Sequence, residues 1–437
     1  MEKENVIEYF DKIVSSRVKW KRRNKYYYNY LEGFLKFLTP ENKKVLRVQV
    51  GDNSFWKKEK NTPDFTYDYV IATDVLGYVN DIEGFMREAS RLIKSDGRII
   101  ITQYNALWEP ILRLASKLGL RMPSIEQNWL SMADLRNFAY IAGLEVVKSG
   151  SKMIMPKYVP LLSAFLNKII ANIFPFSRLG IFHYIVVRKL NVISLTEKPS
   201  ISIIVPARNE AGTIEKIVKE LPELGLSTEI IFIEGNSTDN TFAEITRVAE
   251  KYKGKRKIKY AKQGGRGKGD AVRLGFNIAD GDILTIYDAD MTVPPFEMER
   301  FYRAIVENKA DFINGSRLVY PLEKDSMRVL NFFGNKFFSF AFSSILGQSL
   351  KDTLCGTKVI WKKDYEDLKR NRAFFGDFDP FGDFDLLFGA AKLNLKIIDL
   401  PIHYKERVYG QTNISRWRHG WLLLKMTLFA ARKIKFI

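Results

Sequence analysis

Two aspartates at the end of a short apolar stretch have the spacing of a site for a divalent cation. Residues 283–287 are aliphatic, β-branched or aromatic and predict a strand that runs directly into Asp288 and Asp290. Both carboxylates can converge on one ion if the backbone turns slightly at Ala289, and Mg²⁺ or Mn²⁺ is typically held by one or two carboxylates together with substrate phosphates. The pair alone is also consistent with a solvated strand end or a helix N-terminus, so the neighbouring elements decide its meaning.

The elements around this pair repeat one unit four times: an apolar strand, a polar loop and a helix. The strands are predicted at residues 201–205, 229–233, 258–261 and 283–287. Nearly continuous apolar strands that alternate with helices predict an α/β fold with a parallel sheet covered on both faces. All four loops then lie along one edge of the sheet, where open α/β sheets bind ligands.

The third loop supplies groups that bind phosphate. Its glycines between Gly264 and Gly269 expose backbone N–H groups beside a predicted helix start at Asp270, and Arg266 and Lys268 add positive charge. Alone, such a loop is equally consistent with a flexible surface turn. Together with two aspartates that hold a metal, it predicts a site for a nucleoside diphosphate.

Composition restricts the partners without selecting one. The chain has 437 residues, with 69 Lys and Arg against 50 Asp and Glu, and the net charge of +19 suits a nucleic acid, an anionic membrane surface or a phosphorylated substrate. The single cysteine, Cys355, excludes an internal disulfide framework and a cysteine-based zinc site. The N-terminus lacks a signal-peptide pattern, which predicts a cytoplasmic protein.

The apolar run from Tyr158 to Phe174 is the nearest approach to a membrane span. It is interrupted by Asn167, Lys168 and Asn172, so we do not expect it to cross a membrane, although it could lie on one. Residues 2–38 predict a helix with a basic and aromatic cluster, which is consistent with a solvated face or with contact to an anionic lipid or glycan.

The length predicts two domains, with a boundary in the polar connector 191–200. In the first, strands at 44–50 and 67–76, a helix at 83–92, a glycine turn at Gly97 and a strand at 98–102 form a βαβ crossover. A later helix has Ser131 as its N-cap. Residues 40–150 resemble the class I S-adenosylmethionine-dependent methyltransferase fold, and residues 1–190 are therefore expected to form one domain.

This domain departs from the methyltransferase pattern where the cofactor would bind. Arg47 replaces the acid that ends the family's first strand, and Gln49 and Asn53 replace two glycines of its first loop. Only residues 54–66 separate that loop from the next strand, too few for the helix, strand and ribose-binding acidic turn of the family. These departures imply a degenerate methyltransferase domain that does not bind S-adenosylmethionine. Its expected role is structural or in handling the acceptor.

Residues 201–437 resemble the family 2 inverting glycosyltransferases of the GT-A fold. The family's Pro-x-x-Asn-Glu loop matches residues 206–210, and its Asp-Asp-Gly-Ser-x-Asp loop falls on residues 234–239, where Glu and Gly replace two acids. The metal motif matches Asp288 and Asp290, and Thr292 occupies the position of a further ligand in some members. The resemblance implies that the nucleotide sugar is bound by Pro206, Ala207, Arg208, Asn209, Glu210, Glu234, Asn236, Ser237, Asp239, Gly267, Lys268, Asp270, Asp288 and Ala289.

Further segments resemble the acceptor side of the polyprenyl-phosphate sugar transferases in that family. This resemblance assigns Arg317, Asp352, Gly356 and Thr357 to the acceptor. The acidic and aromatic segment 376–385 could hold a second metal ion, but the resemblance favours a helix start that supplies the catalytic base, with Asp383 or Asp385 in that position. Arg407, in an Arg-x-x-Gly-x-Thr pattern that resembles a segment closing over the donor, would neutralise the departing diphosphate.

For two predicted helices the sequence does not determine the surface on which they pack. Residues 417–437 combine a Trp-rich apolar face with Lys and Arg, as in an interfacial helix, but a helix docked on the core explains the pattern equally well. Residues 328–346 form an apolar helix for which core packing is the simpler interpretation.

These features predict a metal-dependent glycosyltransferase that moves a sugar from a nucleoside-diphosphate sugar to a membrane-held acceptor. The alternatives are an enzyme acting on a soluble or polysaccharide hydroxyl, and a non-catalytic scaffold or nucleic-acid-binding protein that uses the basic surface. We expect Mg²⁺ or Mn²⁺, a lipid-linked or glycan acceptor and an anionic membrane surface as partners, and no nucleic acid. The expected location is cytoplasmic, peripheral to the membrane.

Overall fold

A computed structural model of the chain describes residues 14–49, 63–120, 127–190, 198–319, 329–374, 382–405, 409 and 416–436. Within these ranges the side chains of residues 14–18, 329–333, 335, 373, 383 and 416–420 are not described. Asn53 and Arg407 therefore lie outside the described residues. The chain divides into two compact units: the first comprises Met1–Asn191 with Lys435–Ile437, and the second comprises Val192–Ile434.

The first unit is built on a five-stranded sheet with the order β1-β2-β3-β5-β4. Strands β1 to β3 are parallel, and β5 runs antiparallel between β3 and β4. The strands are β1 (Val45–Gln49), β2 (Tyr67–Thr73), β3 (Ile93–Tyr104), β4 (Leu144–Lys152) and β5 (Phe182–Lys189). The helices are α1 (Val14–Arg23), α2 (Lys25–Leu38), α3 (Ile82–Leu92), α4 (Glu109–Lys117), α5 (Met132–Ile141) and α6 (Leu162–Lys168).

Alternate residues of this sheet face two separate cores. Val70 and Ala72 of β2 pack in the core that contains α3 and α5, whereas Tyr69 and Ile71 pack in the core that contains α2. The period of two in the strand side chains thus divides the helices between the two faces. Among the described residues the sheet begins at β1, with no strand beyond it.

Three local predictions for this unit need correction, and one is confirmed. Of the single helix predicted over residues 2–38, the described part, residues 14–38, forms the two helices α1 and α2, broken at Asn24. The glycine turn at Gly97 is wrong because Gly97 lies inside β3, where an added Cβ would be 2.8 Å from Ile93 Cβ. β2 ends at Thr73 rather than at residue 76, since Asp74 has a φ of 56°. The N-cap at Ser131 is confirmed: its side chain forms a capping box with Asp134.

The second unit contains a seven-stranded sheet with the order β12-β10-β11-β9-β6-β7-β8. The strands are β6 (Ile201–Ala207), β7 (Thr228–Glu234), β8 (Lys257–Lys262), β9 (Ile283–Ile286), β10 (Phe312–Ser316), β11 (Lys358–Trp361) and β12 (Ile397–Pro401). The helices are α7 (Ile214–Glu220), α8 (Thr241–Lys251), α9 (Lys268–Ile278), α10 (Glu297–Val306), α11 (Val329–Leu346), α12 (Lys362–Arg370), α13 (Asp383–Lys392) and α14 (Arg416–Ala430).

The four predicted repeats form the parallel part of this sheet. β9, β6, β7 and β8 are parallel neighbours, and β11 is antiparallel to both β9 and β10. Every residue of β7 and β9 is buried, as expected for strands covered on both faces. The α/β fold class is confirmed, and the four loops lie at one sheet edge.

The last helix, α14, docks on the second unit through one face. Leu423, Met426 and Ala430 are buried, whereas Trp421 and Leu428 are exposed. α11 and α14 contact each other, and α11 buries Phe342 but exposes Phe337 and Phe340. In the part of the chain that the structure describes, no helix is long and apolar enough to cross a membrane.

Candidate active site

The loop that follows β9 is held in one shape by a buried tyrosine. Tyr287 is fully buried, and its hydroxyl donates to the carbonyl of Val293 at 2.7 Å, so the two ends of the loop are joined. The sequence predicted a backbone turn at Ala289, but the residue with left-handed backbone conformation in this loop is Met291, with a φ of 54°. A positive φ at a residue other than glycine persists only where its surroundings impose it. The loop therefore presents its aspartates in a fixed arrangement.

Thr292 orients the second aspartate. Its backbone N–H and its hydroxyl both donate to Asp290 Oδ1, at 3.2 and 2.9 Å. The carbonyl of Thr292 in turn accepts from the backbone N–H of Lys405 at 2.8 Å. The position that carries a further metal ligand in some members thus supports Asp290 through hydrogen bonds.

Asp288 is paired with the lysine of the glycine-rich loop. Lys268 begins α9, and its Nζ lies 2.5 Å from Asp288 Oδ1. Burial raises the pKa of Asp288, but the attraction of Lys268, then of Lys358 and Arg317, outweighs it and holds the pKa below the ordinary value. The loop after β9 therefore carries an ionised carboxylate surrounded by three cations.

Gly356 lies directly against this ion pair. An added Cβ would be 2.1 Å from Asp288 Oδ2 and 2.3 Å from Lys268 Nζ, so a side chain there would displace both groups. The sequence assigned Gly356 to the acceptor side; the structure places it against the metal motif and the glycine-rich loop. Lys358, two residues further on, is fully buried, and its Nζ donates to the carbonyl of Cys355. Sequence analysis missed Lys358, although a lysine that opens an apolar strand was a signal.

The predicted acceptor residues Arg317 and Asp352 bind each other. Arg317 Nε and Nη2 donate to the two oxygens of Asp352 at 2.7 and 2.8 Å, and the Arg317 guanidinium stacks on the Tyr404 ring at 5.3 Å. The Asp352 side chain is fully buried. A bidentate pair of this kind fixes the guanidinium plane as well as its position.

Buried hydroxyls flank this pair in the chain, with Ser316 directly before Arg317 and Thr353 directly after Asp352. Within the described ranges, the hydroxyl oxygens of Ser316, Thr353 and Thr357 are buried without a hydrogen-bond partner. The backbone N–H of Gly315 donates to the carbonyl of Thr357 at 2.9 Å, which joins β10 to the segment before β11. Such groups are normally satisfied in native proteins, by protein, water or a ligand. An acceptor role for Arg317, Asp352 and Thr357 stays a prediction, and these hydroxyls support it.

Breaking the Arg317–Asp352 pair is expected to destabilise the second unit strongly. Arg317→Met leaves a buried carboxylate without its cation, which typically costs about 3–5 kcal/mol. Urea unfolding should show this loss, and Arg317→Met with Asp352→Asn should recover part of it. Arg370→Met is the matched control, because Arg370 and Asp367 form an exposed pair worth at most about 1 kcal/mol. Equal losses in the two single variants would contradict the assignment.

The two candidate bases lie in the first turn of α13. Asp385 is 7% exposed; Arg372 Nη2 donates to its Oδ2 at 3.0 Å, and Arg273 Nη1 lies 3.6 Å from the same oxygen. Asp383 is the first residue of α13, and its side chain is not described. Gly382, with a φ of 73°, lies against α9, where its added Cβ would be 2.7 Å from Gly269 Cα. The start of α13 therefore adjoins the start of α9, next to Lys268.

Residues predicted to bind the nucleotide connect the loops after β6 and β7 through hydrogen bonds. Asn209 Oδ1 accepts from the backbone N–H of Thr238 at 2.8 Å, and the backbone N–H of Asn209 donates to Ser237 Oγ at 3.0 Å. Glu234 is buried and accepts from the backbone N–H of Ser237 at 2.5 Å. Asp239 accepts from the backbone N–H of Thr241 at 2.9 Å. These side chains shape the loops, and direct contact with a base stays a prediction.

Pro206 and Ala207 end β6 beside β7, where Ala207 pairs with Glu234. Arg208, the next residue, is exposed at the same edge. Gly235 packs near it, since its added Cβ would be 3.2 Å from Arg208 Cβ. Arg208 is therefore exposed at this edge, and its contact with the nucleotide stays a prediction.

The third loop is closed by Asp270. The backbone N–H of Gly265 donates to Asp270 Oδ2 at 2.9 Å, and Asn236 Nδ2 donates to the carbonyl of Gly265 at 3.3 Å. Gly267 precedes α9 with a φ of 85°, a conformation that glycine adopts without strain. The second and third loops are thus adjacent, and Arg266 at the tip of the third is exposed.

One residue of the C-terminal segment reaches this edge. Tyr409 packs on the loop after β6, where an added Cβ on Gly212 would be 2.7 Å from Tyr409 Cδ2. Arg407, two residues earlier, lies outside the described residues, and its role stays a prediction.

The oxygen ligands at this edge of the sheet are suited to a hard cation that is bound together with phosphate. No group of three or more His, Cys, Asp or Glu side chains that could hold a metal occurs among the described residues. Asp288 and Asp290 supply carboxylate oxygens, and a hard divalent ion is commonly held by one or two carboxylates plus substrate phosphates. The two aspartates therefore fit Mg²⁺ or Mn²⁺ that arrives with a nucleotide.

Comparison with known proteins finds a family match in each of the two parts of the chain. Residues 202–369 match the model of Glycosyl transferase family 2, and residues 13–149 match the model of a methyltransferase domain. The chain is 26% identical over 226 residues to the glycosyltransferase AglJ of Haloferax volcanii, covering 51% of this chain and 69% of that protein. It is 32% identical over 121 residues to the dolichol-phosphate mannosyltransferase of Pyrococcus furiosus, covering 27% of this chain and 33% of that protein.

Among solved structures, the chain is similar to glucosyl-3-phosphoglycerate synthase from Mycobacterium tuberculosis in complex with Mn²⁺ and UDP-glucose. The TM-score is 0.40 and the identity 17%, over 54% of this chain and 79% of that one, too distant to support an argument. The match to the family model is the firmer finding. It covers the loop with Asp288 and Asp290, the glycine-rich loop and the Arg317–Asp352 pair. The chain therefore carries a family 2 glycosyltransferase domain, joined to a domain of the methyltransferase type.

Proposed function

We propose that residues 201–437 form a metal-dependent inverting glycosyltransferase domain, preceded by a methyltransferase-like domain in residues 1–190. It transfers a sugar from a nucleoside-diphosphate sugar to a membrane-held acceptor such as a polyprenyl phosphate. The observation that carries the proposal is the meeting of Asp288, two residues before Asp290, with Lys268, Lys358 and Arg317 at one edge of the sheet. Two carboxylates for a cation and several cations for phosphate are what a nucleoside diphosphate requires.

The donor side stabilises the leaving group. Asp288 and Asp290 would hold the divalent ion, which when bound supplies positive charge to the diphosphate. Lys268 is 27% exposed, so it can reach the ligand, whereas Lys358 acts from a fully buried position through its charge. Arg407 is proposed to close over the diphosphate from the C-terminal segment. As the bond between the anomeric carbon and the diphosphate oxygen breaks, these groups bind the negative charge that leaves with the nucleoside diphosphate.

The acceptor attacks the anomeric carbon from the opposite face and inverts it. A hydroxyl acceptor must lose its proton to a base, whereas a lipid phosphate is already an anion and requires only positioning. Asp385 is buried between Arg372 and Arg273, so we assign it to positioning α13. Asp383, at the helix start beside α9, is then the base if the acceptor is a hydroxyl.

A lipid-linked acceptor is favoured by exposed apolar side chains on the second unit. Phe337 and Phe340 of α11 are 56% and 77% exposed, and Trp421 and Leu428 of α14 are 60% and 64% exposed. Two contacting helices with apolar residues outside and basic residues beside them are suited to an interface between water and lipid. The similarity to a dolichol-phosphate mannosyltransferase points to the same class of acceptor.

The test is a screen of donors followed by a comparison of acceptors. Thermal shift with UDP-, GDP- and dTDP-sugars, with and without Mn²⁺, identifies the donor. Product formation is then measured on a polyprenyl phosphate in detergent and on soluble sugars. Transfer only to soluble sugars would favour the alternative enzyme, and absence of donor binding together with binding of nucleic acid would favour the non-catalytic alternative.

Substitution of the two candidate bases is expected to report the acceptor class. With a hydroxyl acceptor, Asp383→Asn should lose about 10²- to 10⁴-fold in turnover while donor binding is retained. Asp385→Asn should instead lower the melting temperature, because two arginines lose their anion. With a lipid phosphate acceptor, Asp383→Asn should retain turnover within about tenfold. A large loss of turnover confined to a stable Asp385→Asn variant would show that the two assignments are reversed.

We infer that the first unit does not bind S-adenosylmethionine. The described residues do not fit the cofactor: the sheet begins at β1, so the strand whose acidic turn would bind the ribose has no counterpart there. Arg47, at the position of the family's acid, donates to Glu32 at 2.7 Å. Calorimetry on the full chain is expected to show no heat of binding with S-adenosylmethionine up to about 1 mM, above the micromolar range typical of enzyme ligands. Micromolar binding would refute this inference.

A further inference from the structure

One segment of the first unit has its polar side chains inside and its apolar side chains outside. Between residues 157 and 179, Asn167 and Asn172 are 1% and 6% exposed, whereas Leu161 and Phe174 are 88% and 69% exposed. The asparagines that interrupt this apolar run in the sequence therefore point inward. A segment packed on a core in water normally has the opposite arrangement.

The buried asparagines are hydrogen-bonded, so this arrangement is part of the fold. Asn167 Oδ1 accepts from the backbone N–H groups of Ile154 and Met155, both at 2.9 Å. Asn172 Oδ1 accepts from Lys152 Nζ at 2.6 Å. Hydrogen bonding offsets the cost of burying an amide. The exposure of the apolar side chains is thus the outcome of specific internal bonds.

Helix α4 exposes a second apolar row. Ile111 and Leu114 lie in α4, Leu107 lies two residues before its start, and Leu118 directly follows its end. The four residues follow at intervals of four, three and four, the spacing of one helix face, and each is more than half exposed. A helix on the surface of a soluble domain normally turns this face to the core.

Hydrogen bonds connect the apolar row of residues 157–179, the apolar row at α4 and the end of α1. Trp108 Nε1, at the start of α4, donates to the carbonyl of Leu179 at 2.8 Å. Arg23 Nη1, at the end of α1, donates to the carbonyl of Gly119 at 3.0 Å. Lys157 Nζ donates to Asn24 Oδ1 at 2.7 Å. We call this surface the outward apolar face; it comprises Leu107, Ile111, Leu114, Leu118, Leu161, Phe165, Ile169, Ile173, Phe174, Phe176 and Leu179.

The surroundings of the outward apolar face are strongly basic. Residues 14–28, 105–120 and 157–179 contain a single acid, Glu109. The exposed cations on these segments are Lys19, Lys21, Arg22, Arg23, Lys25, Arg113, Lys117, Lys157, Lys168 and Arg178. Arg178 also lies over the Phe174 ring, 5.0 Å from its centroid. An apolar surface with a cationic rim matches the apolar interior and the anionic headgroups of a membrane surface.

We propose that the outward apolar face docks the first unit on an anionic lipid surface. The apolar side chains enter the boundary of the acyl chains, and the lysines and arginines bind the headgroups. A second copy of the chain would place like charges opposite each other, so self-association suits this face less well. The proposal extends the proposed function by giving the methyltransferase-like domain the role of attaching the enzyme where a lipid-linked acceptor lies.

The test is co-sedimentation of the full chain with vesicles. Vesicles of phosphatidylcholine alone are compared with vesicles that also contain phosphatidylglycerol, without donor or acceptor. The chain is expected to bind the anionic vesicles, less so at high salt. Leu118→Glu with Leu161→Glu should weaken binding about tenfold or more, because both apolar side chains leave the interface. Leu226→Glu is the matched control, since Leu226 is 84% exposed in the second unit, and it should bind like the wild type.

Several outcomes would overturn the proposal. The first is absence of wild-type binding to anionic vesicles. The second is a double variant that binds as strongly as the wild type, and the third is a Leu226→Glu variant that is weakened as much as the double variant. A dimer that the double variant dissociates, with vesicle binding unchanged, would assign the face to self-association instead. Thermal melting confirms that each variant is folded. Because these vesicles contain no sugar donor or acceptor, failure of docking and failure of sugar transfer are separate results.

Discussion

Asp290→Asn is expected to abolish metal-dependent nucleotide binding while the fold is retained. Asparagine has the size of aspartate and can still accept the hydroxyl of Thr292, but it lacks the charge that holds a divalent ion. Turnover should fall by about 10³-fold, since the charge that stabilises the leaving diphosphate is lost. The free energy of unfolding should change by less than about 1 kcal/mol, because only one charge is removed from a loop whose hydrogen bonds remain. Titration of the nucleoside diphosphate with and without Mn²⁺ measures the effect.

Asp280→Asn is the matched control for this substitution. Asp280 precedes the other end of β9, is exposed, and is paired with Lys257 and Lys259. Its replacement should leave Mn²⁺-dependent binding unchanged. If Asp290→Asn keeps the wild-type Mn²⁺-dependent affinity, the metal assignment is wrong.

Gly356→Ala is expected to have the second-largest effect, although alanine adds only a methyl group. The added carbon would lie 2.1 Å from Asp288 Oδ2 and 2.3 Å from Lys268 Nζ, so both groups must move by about an ångström. Displacements of that size at a reacting centre cost on the order of 10²-fold in turnover. Nucleotide affinity should fall as well, since Asp288 and Lys268 are proposed to act on the diphosphate. Steady-state kinetics and nucleotide titration measure the two effects.

Gly264→Ala is the control, because no atom lies within 4 Å of an added Cβ at that position of the glycine-rich loop. It should retain turnover within about twofold, as expected for a surface substitution. Wild-type turnover in Gly356→Ala, with Gly264→Ala also unaffected, would mean that the geometry of the Asp288–Lys268 pair does not limit catalysis.

Much of the second unit was predictable from the sequence because its pattern is local. The strand periodicity predicted four parallel neighbours, and each loop follows its strand within a few residues, so Asp288, Lys268 and Asn209 were expected at one edge before any contact was known. The first unit was less predictable in detail. The break at Asn24 and the position of Gly97 inside β3 depend on packing that a helix or turn pattern does not contain.

The residues that depend on distant partners could not be assigned from the sequence. Asp383 and Asp385 were equivalent candidates until Arg273, more than a hundred residues earlier, was found beside Asp385. Gly356 resembled an acceptor-side glycine, and only the antiparallel pairing of β11 with β9 places it against Asp288.

The sequence by itself determined that this protein has a parallel α/β sheet with carboxylates, cations and glycines at its edge, because hydrophobic period and loop position are local properties. The tertiary structure decided which way the apolar run near Phe165 faces. Hydropathy is the same for a run that packs inward and for one that packs outward, and the difference arises from the bonds that Asn167 and Asn172 make to residues elsewhere in the fold.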